Sequence, residues 1–407
     1  MTIWLLAMGL LASLAALGYR QGVIRVAFSF VGIIVAVWLA GPLGGLTGLL
    51  LAAVGVRHVI LLWLLPPFVA FVVVLVVFKI IGFGVQQRVE VHYKYKAGDL
   101  RYALWQRLSA RLGLCLGLAN AMAYLALISF VIYAFSYWTV QMSAGDEDPQ
   151  WMRILNRMGR DLPRTGMYKV AGAIDPLPAI YYEAADLAGL IYHHPLLEAR
   201  LARYPAFFSL AEKPYFQALG QDSKFADLRL KQEPINNLLA CPSVETILKN
   251  SDTLILIWGI VAPDLQDLRA YLETGKSPKY DAEKIVGRWI FDVNGAIAAY
   301  RVARPNIPSS EMQKVKKSML AAYAKTRLVA GPDHLIMLKN MPLPKVQAGT
   351  PAAAETQSVP GRWENVGGQY QLIFQGAGKT EEKKVQIEGA RMTITGEGLP
   401  MSFTRDD

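Results

Sequence analysis

The chain is poor in the residues from which most active sites are built. It has two cysteines and five histidines in 407 residues. Cys115 lies in an apolar run, where a thiol serves as a small packing residue. Cys241 stands alone in the more polar part of the chain, so no intrachain disulfide is expected. Beyond residue 140 the histidines are His193, His194 and His334 only. No serine there has the glycine neighbours of a hydrolase nucleophile, so nothing announces a Ser–His–acid triad. The His193-His194 pair has no further Cys or His at metal-ligand spacing. The chain therefore reads as non-enzymatic, with no catalytic, cofactor-binding or metal-ligating residues. Also missing is any long basic run, despite a net charge of +10. Nucleic-acid binders gather Lys and Arg into a patch or tail. Here many basic residues flank apolar stretches, which argues for a lipid membrane as partner and against nucleic acid.

A last absence concerns the first 18 residues, which carry no charged side chain. A signal peptide needs a basic stretch before its apolar core, whereas Arg20 follows the run here. The run reads as an uncleaved helix.

What is present is apolar. Hydrophobic residues make up 53% of the chain, and the excess lies before Trp138. A helix needs about 20 apolar residues to cross ~30 Å of hydrocarbon. Four runs qualify, near 2–18, 23–40, 56–83 and 112–140. Pro66-Pro67 interrupts the third, where a kink is expected. The fourth ends in Tyr133, Phe135, Tyr137 and Trp138, an interfacial aromatic belt. Residues 41–54 are apolar but full of helix breakers, and either re-enter the membrane or lie at its interface.

The connections set the orientation. The first turn, Tyr19 to Arg25, holds Arg20 and Arg25. The connection from Lys79 to Arg111 holds seven basic residues against Glu90 and Asp99. The segment after the last span opens with Asp146, Glu147 and Asp148. Both basic connections are therefore expected in the cytoplasm, with the N-terminus and everything after Trp138 outside. From Asp99 onward the basic connection has the spacing of an amphipathic surface helix, with Trp105 available as an interface anchor. Gly113, Gly117 and Ala121 recur at fourth positions on the last span, a small face suited to close helix contact within the chain or in a homo-oligomer. Polar residues inside the spans are few, namely Ser29, Asn120 and Ser129. Their scarcity weighs against a proton-coupled transporter.

The order of these parts resembles the colicin V production protein (CvpA-like) family of membrane proteins. That family has an apolar helix, a Gly-x-Arg-x-Gly-x-x-Arg-like turn, a second helix, a third span and a basic connection. Gly18, Arg20, Gly22 and Arg25 match the turn. Arg111, Leu112, Gly113 and Gly117 match the opening of the last span. The resemblance covers residues 1 to about 140. It departs at Val26, where the family often has an acid, and lacks the Asp that often precedes the second Arg. It implies a bacterial inner-membrane protein linked to toxin production or export and to envelope integrity.

The rest of the chain reads as two further parts. Residues 141–280 form an extracytoplasmic α-helical region of short helices started by Pro205, Pro214, Pro234 and Pro242. They resemble either the helical modules of co-chaperones or a small connecting bundle. Leu254–Val261, too short to span, reads as the buried helix of this region, or as one leaning on the membrane. Residues 281–407 read as a small α+β domain, an antiparallel sheet or barrel, with a flexible insert near 341–360. Its twin Gly-Arg-Trp motifs place Trp289 and Trp363, which read as core or as lipocalin-like ligand contacts. The whole is a four-span membrane domain carrying outward modules that bind protein, peptide or cell-wall material. The alternatives are an oligomeric channel or export component, and lipid or small-ligand binding by the β-module.

Overall fold

The computed structural model describes residues 2–56, 59–96, 98–342, 356–376, 379–395 and 400–406. Four helices are long and apolar enough to cross a membrane: α1 (Thr2–Gln21), α2 (Val23–Ala53), α3 (Val59–Lys96) and α4 (Asp99–Gln141). All are longer than the apolar runs suggest. The break between α1 and α2 is the single residue Gly22, with φ of 80°. Residues 41–53 do not form a separate segment, because α2 continues through Pro42 as one helix of 31 residues. In lipid an interrupted backbone has no water to bond to, so helical continuity outweighs the poor propensity of Gly and Pro. The glycines have a use here. The Cβ positions of Gly44 and Gly48 face Pro67 and Pro66 of α3 at 3.7 and 3.6 Å, and the Thr47 hydroxyl donates to the Pro66 carbonyl at 2.8 Å.

The basic connection is likewise not a separate surface helix. α3 runs on to Lys96 and α4 already begins at Asp99. Tyr93 stacks on Trp105 with 4.9 Å between ring centroids and planes 3° apart. Trp105 thus pairs with the facing helix extension.

Helices follow: α5 (Gln150–Thr165), α6 (Met167–Ala173), α7 (Ala179–His193), α8 (Leu197–Leu201), α9 (Phe208–Ala211), α10 (Pro214–Gln221), α11 (Ser223–Leu230), α12 (Ile235–Leu239), α13 (Pro242–Lys249), α14 (Ser251–Val261) and α15 (Leu265–Thr274). Pro214 and Pro242 open α10 and α13, Pro234 directly precedes α12, and Pro205 opens a 3-10 turn before α9. The reading of Leu254–Val261 as a buried helix does not hold, since no residue of that stretch is buried. Thr253 of α14 is buried, but Ile255, Leu256 and Trp258 are exposed. A helix apolar on every side cannot hide all its faces against the short helices around it.

The chain forms two compact units, and they cut across the boundaries near 140 and 280. One is Met1–Pro195 with Gln221–Gly259; the other is Leu196–Gly220 with Ile260–Asp407. The second contains a closed antiparallel barrel of eight strands in sequence order. These are β1 (Gly287–Phe291), β2 (Arg327–Ala330), β3 (Leu335–Pro342), β4 (Thr356–Val366), β5 (Gln369–Gly376), β6 (Lys379–Glu388), β7 (Arg391–Thr395) and β8 (Met401–Arg405). Pairing of Trp289 with Arg405 and Phe291 with Phe403 closes it. Two helices, α16 (Val293–Ala303) and α17 (Ser309–Tyr323), separate β1 from β2. The insert expected near 341–360 is partly strand, since Met341-Pro342 belong to β3 and 356–360 to β4. Residues 343–355 lie outside the described residues.

Trp289, Leu328, Trp363, Leu372, Met392 and Phe403, each at most 1% exposed, fill the barrel core. The α17 residue Met319 packs against the same cluster. The indole N–H of Trp289 donates to the Ile285 carbonyl, and that of Trp363 to the Gly331 carbonyl. Both tryptophans are therefore core residues with satisfied polar edges.

Candidate functional site

The residues singled out on the first turn and on the last span meet in the membrane unit, although about 90 positions separate them. A Cβ on Gly18 would fall 2.2 Å from the Gly113 carbonyl oxygen and 3.0 Å from the Gly117 Cα. One on Gly117 would fall 2.5 Å from the Leu14 carbonyl oxygen. α1 and α4 thus touch backbone to backbone, an approach open only to glycine. Ala121 continues the seam, fully buried. Gly22 adds two constraints: its positive φ, and a Cβ position 2.7 Å from the Ser109 hydroxyl. That hydroxyl accepts from the Val23 N–H at 3.1 Å, capping α2 from another helix. Arg20 and Arg111 are exposed, as charges near a membrane boundary are expected to be.

A second contact went unread in the sequence. Gly32 of α2 faces Phe78 of α3, and Gly82 of α3 faces Phe28 of α2, at 2.8 and 2.7 Å from each Cβ position. Phe-x-x-x-Gly occurs once on each helix, and the two copies interlock in antiparallel fashion. The spacing was visible; the pairing needed the fold.

Between these seams lies a cavity of about 500 Å³. Leu10, Leu14 and Leu17 of α1 form its apolar wall, and Arg25, Ser29, Lys79, Asn120 and Tyr124 supply polar groups. The Arg25 guanidinium lies over the Phe83 ring at 4.5 Å. Arg25 Nε and Asn120 Oδ1 are buried without a hydrogen-bond partner. Ionisable and amide groups inside a bilayer are costly, so two unmet polar atoms beside two cations mark a place suited to an anionic or hydrogen-bonding group. The cavity lining has no carboxylate or imidazole, so its side chains do not form a proton relay.

The barrel unit holds a different polar cluster, also unread in the sequence. The buried Tyr204 hydroxyl donates to Asp267 at 2.8 Å, and Ser277 donates to the same carboxylate at 2.6 Å. Asp264, buried, accepts from both Lys279 and Tyr280. Burial, then the Asp264 carboxylate, pushes the Tyr280 hydroxyl up to about 12. The Tyr204 hydroxyl is raised as well, by burial first and Asp267 second. These bonds hold the irregular segment between α15 and β1 in place.

His193 and His194 end α7, both exposed, and the His193 carbonyl accepts from Gln232. Among the described residues no three His, Cys, Asp or Glu side chains are grouped as a metal would need. Cys115 is exposed, Cys241 buried, and both are free thiols. No family model matches the chain, and no curated protein or solved structure matches it.

Proposed function

We propose that the chain is a non-enzymatic scaffold of the bacterial inner membrane, of the colicin V production kind. In this reading the N-terminus and residues 141–407 lie on the extracytoplasmic side, and the soluble modules bind protein, peptide or cell-wall material in support of envelope integrity and toxin export. One observation carries it. The motif glycines of the two matching segments meet at a single crossing, Gly18 and Gly22 against Gly113 and Gly117, and their contacts are packing contacts. A rigid platform needs that and no reactive group. The filled barrel interior fits the same reading, because such a barrel offers its surface rather than a ligand chamber.

The cavity at Arg25, Lys79 and Asn120 favours a second reading, an export component that admits an anionic or polar group into the bundle.

One complementation experiment separates the two. A strain lacking the protein is scored for exclusion of a large polar dye and for toxin release. On the scaffold reading, wild type and the Arg25→Gln/Asn120→Leu variant restore both phenotypes, while a correctly inserted Gly113→Leu variant does not. Loss of complementation in the cavity variant, at normal abundance, selects the export reading. A phosphatase reporter joined after residue 145 should be active outside; activity of a cytoplasmic reporter there overturns the orientation.

A further inference from the structure

The barrel unit has a recess of about 330 Å³ outside the filled core, and four arginines line it. Arg200 lies on α8, Arg203 just after it, Arg288 on β1 and Arg405 on β8. The lining sets two carboxylates, Asp281 and Asp406, against them. Three of the arginines make contacts with carbonyls or aromatic rings. Arg405 Nη2 donates to the carbonyls of Lys284 and Val286, both at 2.9 Å, and its guanidinium lies 5.1 Å from the Trp289 ring centroid. Arg200 Nη1 donates to the Leu272 carbonyl at 2.8 Å, and the Arg288 guanidinium sits over Phe208 at 5.2 Å. The Asp264 and Asp267 bonds brace the segment that carries Tyr280 and Asp281.

Four guanidinium groups against two carboxylates leave the lining with an excess of two positive charges, which favours an anion. The planar fork of arginine suits a phosphate, which offers several oxygens to several donors. Pro205, Phe208 and Tyr271 supply an apolar wall beside the charges. We propose that this recess binds a phosphate-bearing ligand, with Arg200, Arg203 and Arg288 taking the phosphate oxygens and the apolar wall taking the adjoining group. Arg405 is a positioning residue that forms the floor. The phosphate belongs either to a lipid headgroup or to a free phosphorylated molecule. The proposal does not depend on the scaffold reading.

The test uses the full-length protein in phosphatidylcholine nanodiscs and calorimetric titration with pyrophosphate or, separately, dihexanoyl phosphatidic acid. Wild type should bind at least one probe. Arg203→Gln, at an exposed position, should weaken binding several-fold, and the Arg203→Gln/Arg288→Gln pair by roughly tenfold or more. A preference for phosphatidic acid assigns a lipid source, and a preference for pyrophosphate a free one. No binding of either probe by ~10 mM, or unchanged affinity in Arg203→Gln and in the folded double variant, overturns the proposal.

Discussion

The two cores of this chain are built on opposite rules. In the membrane bundle the first and last helices approach most closely at the smallest residues, Gly18, Gly113 and Gly117, with Ala121 buried beyond them. In the barrel the interior is filled by the largest side chains, with Trp289, Trp363 and Phe403 all but sealed from solvent. The difference follows from the surroundings. Between helices in lipid the hydrophobic effect contributes little, so stability comes from backbone proximity and van der Waals contact. In water, burying a large apolar side chain is itself the driving force. A bundle interlocked by glycines is therefore sensitive to added atoms, and a filled barrel to lost ones.

Four measurements would sharpen or break that contrast. The largest effect is expected from Trp363→Ala, which empties the barrel centre and should cost about 3–5 kcal/mol. Limited proteolysis of the full chain should then cut the barrel strands while the long helices stay protected; equal loss of both would show that the two cores are not independent. Next comes Gly113→Leu, whose side chain must displace the Gly18 carbonyl. Overpacking of this kind costs about 1–3 kcal/mol, read as a lower thermal midpoint of the helical signal in detergent. An unchanged midpoint would mean the glycine seam is not what holds the bundle.

The third is a pH effect in the barrel unit. Tyr280 ionises at about 12 in the fold, against 10.0 for an ordinary tyrosine. Its neutral form is the one the fold favours, so its contribution is intact below pH 10 and declines as pH rises towards 12. Urea denaturation in that window should show the barrel weakening, and Tyr280→Phe should flatten the decline. The smallest effect is expected from Thr47→Ala, which removes the bond to the Pro66 carbonyl. Interhelical hydrogen bonds in membranes contribute about 0.6 kcal/mol, and the melting of the bundle should barely move.

The spans were legible because hydropathy is a local property, and so were the proline-started helices and most strands. Helical continuity through residues 41–53 was not, since propensity is a weak guide where lipid forbids an open backbone. The glycine seam was half legible: the spacing on α4 was clear, but its partner on α1 had been read as part of a charged turn. The four arginines of the recess come from three separate stretches of chain, and no local pattern marks them. The apolar run of α14 was plain, yet its composition alone did not tell exposure from burial.

Closure of the barrel has a kinetic consequence. β1 is flanked by β2 and β8, and β8 lies more than a hundred positions further along the chain. Until that eighth strand arrives, β1 and β7 each present an open edge, ready to pair with another copy. Pairings that distant in sequence form late and slowly. A shortened β8 would therefore leave β1 and β7 as open edges, and such a chain is expected to self-associate.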